Sequence, residues 1–208
     1  MKAWQAVYDK GGGAALADLL RGSRSADDER KPLDDAQLKK LCPGTPVQAY
    51  PYLKKCRTIE DFTHGRNAIL LYLVESAQEG HWTGLLERPG VVEYFDSYGH
   101  RPDEPLGWIP ARQRTALDES HPELSALLKK AGAEGKRVVF NTRPFQDRRK
   151  PSLATCGRHV ACRLACANMS LKDYGEMIDS TGMDPDDFVT CATDYALASG
   201  LKGGVSSV

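Results

Sequence analysis

The sequence predicts an α+β fold, and three observations carry the prediction. The run from Asn67 to Glu75 is continuously apolar over a strand's length, the pattern of a central strand buried on both faces. Two further strand-length segments, Gly80 to Leu86 and Val91 to Phe95, flank the turn signal Arg88-Pro89-Gly90. Helical patterns fill the chain after Cys156. Strands first, then helices gathered around a sheet, is the α+β order.

Residues 1–32 are expected to be a flexible or loosely docked segment. Gly11-Gly12-Gly13 breaks a helix, Ala14 to Leu20 allows a short one, and Arg21 to Lys31 is nearly all charged or small. The folded domain is expected over 33–198. Asp34 or Asp35 can cap a short helix through Leu41, which Pro43-Gly44 stops. Val47 to Leu53 reads as an extended connector and Thr58 to Phe62 as a helical turn. The three strands between Asn67 and Phe95 form an antiparallel meander, closed by Asp96-Ser97-Tyr98-Gly99. Residues 100–118, rich in Pro and Arg, read as a surface excursion. His121 to Ala131 places Leu124, Leu127 and Leu128 on one helix face. Lys136 to Asn141 is a fourth strand, and Thr142 to Ala154 a polar, basic loop. Helices are expected over Cys156–Met169, over Leu171–Thr181 with Ser170 as cap, and from Asp184 to Ala198. Residues 199–208 read as a flexible tail.

The totals narrow the function classes. At 208 residues the chain can bury a real core, and 41% apolar with 27% charged residues is ordinary for a soluble globular protein. A formal net charge of zero gives no global field for nucleic acid or anionic membranes. No run approaches the eighteen or so apolar residues of a membrane span, and no secretory signal pattern is visible. Six cysteines in that context are expected to be free thiols in a reducing, intracellular setting.

Cys156 ends a loop and begins a helix. A thiol there faces the positive end of the helix dipole and unpaired N–H groups, which favour the thiolate. A thiolate nucleophile needs a base, usually His, and a third group to orient it. With a turn centred on Pro89-Gly90, His81 and Asp96 fall near one edge of the hairpin, close enough to pair. Gln146, in the loop before Cys156, and the Cys156 N–H can serve as oxyanion donors. Each residue alone has an ordinary reading: a packed thiol, a satisfied strand histidine, a turn-forming Asp. His159, Cys162 and Cys166 share one helix face, but a zinc site draws ligands from separate elements. No metal is expected, and Cys162 and Cys166 read as packing residues.

The motifs Gly80-His81-Trp82, Phe95-Asp96-Ser97-Tyr98-Gly99, Asn141 to Gln146 and Thr155-Cys156-Gly157-Arg158-His159-Val160 occur in that order. So arranged, they resemble the adenain-like branch of the ubiquitin-like-protease superfamily, as found in large DNA viruses, virophages and related elements. Leu33 to Leu38 and Asp184 to Thr190 resemble that branch too, so the likeness spans about residues 33–192. It implies a papain-like, circularly permuted cysteine protease fold with a mostly antiparallel sheet flanked by helices. It implies His81 as base, Asp96 as orienting acid, Cys156 as nucleophile and Gln146 as oxyanion donor. Trp82 would shield the imidazole, and Gly157 would support the nucleophile. No cofactor is implied.

The resemblance further implies an endopeptidase that cleaves after Gly-Gly or Gly-X-Gly sites and matures virion proteins. Its partners would be virion structural proteins, with an activating peptide or nucleic acid as additions some relatives need. It would act as a monomer, in the virion and at the assembly site in infected-cell cytoplasm. An isopeptidase removing a ubiquitin-like modifier, an acetyltransferase on the same triad, and a non-enzymatic virion scaffold protein stay open as alternatives. Leu201-Lys202-Gly203-Gly204 itself looks like a cleavage site.

Overall fold

The computed structural model describes residues 2–22, 31–74, 80–149 and 153–198. The tail with Leu201-Lys202-Gly203-Gly204 lies outside them. The chain groups into two compact units: Thr45–Pro144, and a discontinuous one of Met1–Gly44 with Phe145–Val208.

The 45–144 unit is α+β and holds one five-stranded sheet, ordered β1-β2-β3-β4-β5: Val47–Ala49, Ala68–Leu73, Gly80–Arg88, Val91–Asp96 and Arg137–Phe140. The centre is the expected antiparallel meander. All six residues of β2 are buried, as its unbroken apolar run predicts. β3 and β4 close on the two-residue turn Pro89-Gly90, with Arg88 opposite Val91 and Gly90 at φ 70. The sheet is mixed, however: both outer strands, β1 on β2 and β5 on β4, run parallel to their neighbours. A parallel partner needs a long crossover, and the forty residues between β4 and β5 supply one. β1 takes three residues of the stretch expected as a connector, and a 3-10 helix, Tyr50–Lys55, takes the rest.

Helix α5 (Glu123–Ala133) buries Leu124, Leu127 and Leu128, the face its spacing predicts, and packs on β5. They join Tyr50, Ile59, Phe62, Leu70, Tyr72, Leu85 and Tyr94 in one core. The short α3 (Ile59–Thr63) starts from a capping box of Thr58 and Asp61. The 100–118 stretch is a surface excursion only in part. Helix α4 (Ala111–Ala116) buries nothing, but a 3-10 turn at Glu104–Trp108 buries Pro105 and Leu106.

The other unit is helical: α1 (Lys2–Arg21), α2 (Asp35–Leu41), α6 (Cys156–Ala165), α7 (Leu171–Ser180) and α8 (Pro185–Ala198). Gly12, at φ 68 and ψ −165, interrupts α1 where the glycine triplet stands. After that break Leu16, Ala17 and Leu20 are buried, and α1 packs on α7 and α8. Asp34 and Gln37 form a capping box for α2, and Ser170 caps α7. α6 is buried along nearly its whole length. Its Arg158 donates to Thr193 Oγ1 and Asp194 Oδ1, both at 2.6 Å, which ties α6 to α8. Arg163 donates to the carbonyls of Cys166 and Met169 as the chain leaves α6, with its guanidinium 5.3 Å from the Tyr174 ring centroid.

Candidate active site

In the sheet unit, His81 and Asp96 meet. Asp96 stands opposite Thr83 in the β3–β4 ladder, and the two-residue side-chain period puts His81 on the same face as Thr83. His81 Nε2 lies 2.9 Å from Asp96 Oδ2. Both side chains are buried, Asp96 completely. A carboxylate can only accept, so the imidazole donates through Nε2. Asp96 Oδ2 also accepts from the Tyr94 hydroxyl at 3.3 Å, and Oδ1 from the Tyr98 N–H at 2.7 Å. Burial pushes the Asp96 carboxyl up. The His81 charge and hydrogen bond, with the Tyr98 N–H, outweigh burial and hold it below its ordinary value.

The backbone of Asp96 is fixed by a residue to which the sequence reading gave no role. Asn141, the first residue past β5, accepts from the Asp96 N–H at 3.0 Å and donates to the Asp96 carbonyl at 2.6 Å. Its Nδ2 also reaches the Arg143 carbonyl at 3.0 Å. Because β5 runs parallel to β4, its end reaches the end of β4 that carries Asp96. Only that strand direction, which local pattern does not show, marks Asn141 as a partner.

Two rings lie on His81 to which the sequence reading gave no role. Tyr98 stacks on the imidazole with centroids 5.2 Å apart and 26° between planes, and Trp108 meets it edge-on at 5.2 Å. Trp82, the expected shield, is the next residue of β3, and strand alternation turns it to the opposite face. Trp108 is 42% exposed, and its ring also lies 4.8 Å from that of His100. His100 Nδ1 is 3.2 Å from Glu104 Oε2.

In the helical unit, α6 begins at Cys156, as the sequence predicts, with Gly157 buried behind it. Thr155 occupies the cap position but makes no capping bond to its own helix. Its hydroxyl donates instead to Asp186 Oδ1 at 2.5 Å. The same oxygen faces His159 Nε2 at 3.0 Å, and Oδ2 accepts from the Asp147 N–H at 2.9 Å. Burial raises the Asp186 carboxyl, but His159, Thr155 and the Asp147 N–H together hold it below its ordinary value. Gln146 is buried and donates one Nε2 hydrogen to the Leu153 carbonyl at 3.1 Å.

Other thiols in this unit are held neutral. Burial pushes Cys42 and Cys166 up to about 12 and Cys162 well above the ordinary thiol value. Cys162 and Cys166 pack in α6 and at its end, as expected. In the basic loop, Arg149 turns back on Asp147 at 3.0 Å.

No family model matches the chain. The uncharacterized protein V9 of Sputnik virophage is 32% identical over 152 residues, which span 71% of this chain and 85% of that protein. The chain belongs to that protein's family. Among solved structures, the ASFV pS273R protease aligns over 93% of this chain and 78% of its own, at 14% identity and a TM-score of 0.40. Its selenomethionine form aligns over 82% and 70%, at 13% identity and 0.40. Both likenesses are too loose to carry a function across.

Proposed function

We propose that the chain is a cysteine endopeptidase of the adenain-like type, with Cys156 as nucleophile, His81 as base, Asp96 as its orienting acid and Gln146 as oxyanion donor. The observation that carries this reading is the buried His81–Asp96 pair at 2.9 Å. A completely buried carboxylate held ionised beside an imidazole is the arrangement a general base needs, because it fixes the tautomer and stabilises the imidazolium. The position of Cys156 as first residue of an α-helix supports it further.

With Nε2–H committed to Asp96, Nδ1 takes the Cys156 proton. The thiolate attacks the scissile carbonyl carbon, and the carbonyl π electrons move onto oxygen. The Cys156 N–H and the Gln146 amide stabilise that oxyanion. Collapse breaks the C–N bond, and His81 gives its proton to the leaving amine. Water, deprotonated by His81, then attacks the thioester and expels the thiolate. Glycine before the cut suits a narrow groove, because only Gly lets the backbone approach the sulfur so closely. In this reading the substrates are virion structural proteins, cut at Gly-Gly or Gly-X-Gly sites during assembly.

The test is incubation of the wild type and Cys156→Ala with a fluorogenic peptide ending in Gly-Gly before the reporter, and with the structural proteins of the virion. Wild-type cleavage after glycine, absent from Cys156→Ala, is the expected result. Equal release by both proteins, or by neither, contradicts the reading.

A further inference from the structure

Asp186 lies far along the chain from the four residues of the proposed reaction, yet one carboxylate gathers both segments that flank Cys156 and Gln146. Its Oδ2 accepts from the N–H of Asp147, the residue after Gln146. Its Oδ1 accepts from the hydroxyl of Thr155, the residue before Cys156. The same Oδ1 meets the ring of His159, one helical turn past Cys156. Thr155, His159 and Asp186 are all buried, none more than 1% exposed. Asp184 Oδ1 fixes the Asp186 N–H at 3.0 Å, so the carboxylate stands on a set backbone at the start of α8. The cluster also carries a cost: among the described residues, His159 Nδ1 is buried with no hydrogen-bond partner. A side-chain network that leaves a buried ring nitrogen orphaned is weakly explained by stability alone.

We infer that Asp186 is a positioning residue, a clip that holds the Gln146–Asp147 segment against the turn leading into Cys156 and so sets the oxyanion donors relative to the nucleophile. The inference rests on the peptidase reading for its catalytic meaning, but the clip itself does not. Two features give it direction. Thr155 gives up the capping bond its position offers, which leaves the first turn of α6 without a side-chain acceptor from its cap residue. And the two oxygens of Asp186 serve the two segments separately. An amide in its place keeps an acceptor for only one of them and turns an N–H toward the donor at the other.

The experiment compares the wild type with Asp186→Asn, Asp186→Ala, Thr155→Val and Thr155→Ser. Peptide cleavage is read as separate kcat and KM, and amide exchange is followed over residues 145–149 and along α7. Gln146 and the Cys156 N–H act on the oxyanion, which exists only after attack. Their displacement should therefore lower kcat by about ten- to a hundredfold with KM within about twofold. Thr155→Ser keeps the hydroxyl and should retain wild-type kcat, whereas Thr155→Val should not. Exchange at Asp147 should rise about tenfold or more in Asp186→Ala while α7 stays protected. Thr155→Val serves as the second variant if the Asp186 variants do not fold. Unchanged Asp147 exchange in Asp186→Ala, which has no acceptor for either segment, overturns the clip. Faster exchange with unchanged kcat, or a Thr155→Val enzyme as active as Thr155→Ser, overturns its catalytic role. A wild type that cleaves no peptide counts against the peptidase reading, and exchange then decides the clip by itself.

Discussion

At neutral pH Asp96 is an ionised carboxylate with no solvent contact, and five groups fix its geometry: the His81 ring, the Tyr94 hydroxyl, the Tyr98 N–H and both ends of the Asn141 amide. Its carboxyl is held below the ordinary value, so it contributes stability above the unfolded-state pKa of about 3.9. That stability is lost as pH falls through the depressed folded-state value. Melting temperatures of Asp96→Asn should therefore fall less steeply below about pH 4 than those of the wild type, and a parallel decline contradicts the assignment. The pair was legible in the sequence because it depends on counting alone. Once Pro89-Gly90 is the turn, ladder register and side-chain period place His81 and Asp96 on one face. The same counting, carried one residue further, turns Trp82 away. The rings that do cover His81 come from Tyr98 and Trp108, outside the hairpin, and no local pattern announces them.

At the scale of elements, β3 starts at Gly80 for a steric reason. A Cβ there would stand 1.8 Å from the Tyr72 carbonyl oxygen of β2. Such a contact cannot form without separating the strands, and His81 is the next residue. Gly80→Ala should destabilise the protein by about 1–3 kcal/mol and lower the proposed peptidase activity about tenfold or more by moving the imidazole. A variant with wild-type melting temperature and kcat contradicts this account of the glycine. Most elements were legible because their signals are local: capping boxes at Asp34 and Thr58, the apolar run of β2, the leucine face of α5. The parallel outer strands were not. β1 is three residues long, and the direction of β5 is set by the crossover that precedes it, not by its own composition. In α1 the expected break stands at Gly12, whereas the burial of Leu16 and Leu20 and the packing of the helix on α7 and α8 lie beyond local propensity.

At the scale of the whole molecule, pH dependence has a second source, opposite in sign. Glu119 is buried, with Oε1 accepting from the Leu73 N–H at 2.9 Å and Oε2 without a partner among the described residues. Burial pushes its carboxyl up to about 7. The unfolded chain ionises this group near pH 4.3, so stability falls as pH rises from there to about 7 and stays lowered above it. Glu119→Gln keeps the acceptor and removes the charge. It should raise unfolding free energy at pH 8 by about 1–3 kcal/mol and leave it nearly unchanged at pH 4, as measured by denaturant melts. A loss of stability at pH 8 contradicts the burial account.

In the proposed chemistry His81 and Asp96 belong to one compact unit and Cys156 and Gln146 to the other. The most direct measurement is the rate at which iodoacetamide alkylates Cys156 as a function of pH, followed by site-resolved mass spectrometry in the wild type and in His81→Ala. No substrate is needed. An imidazole partner should keep Cys156 reactive at pH 6–7, and His81→Ala should react only as an ordinary thiol titrates, near pH 8.5. Identical profiles with and without His81 would contradict the assignment of His81 as the base that activates Cys156.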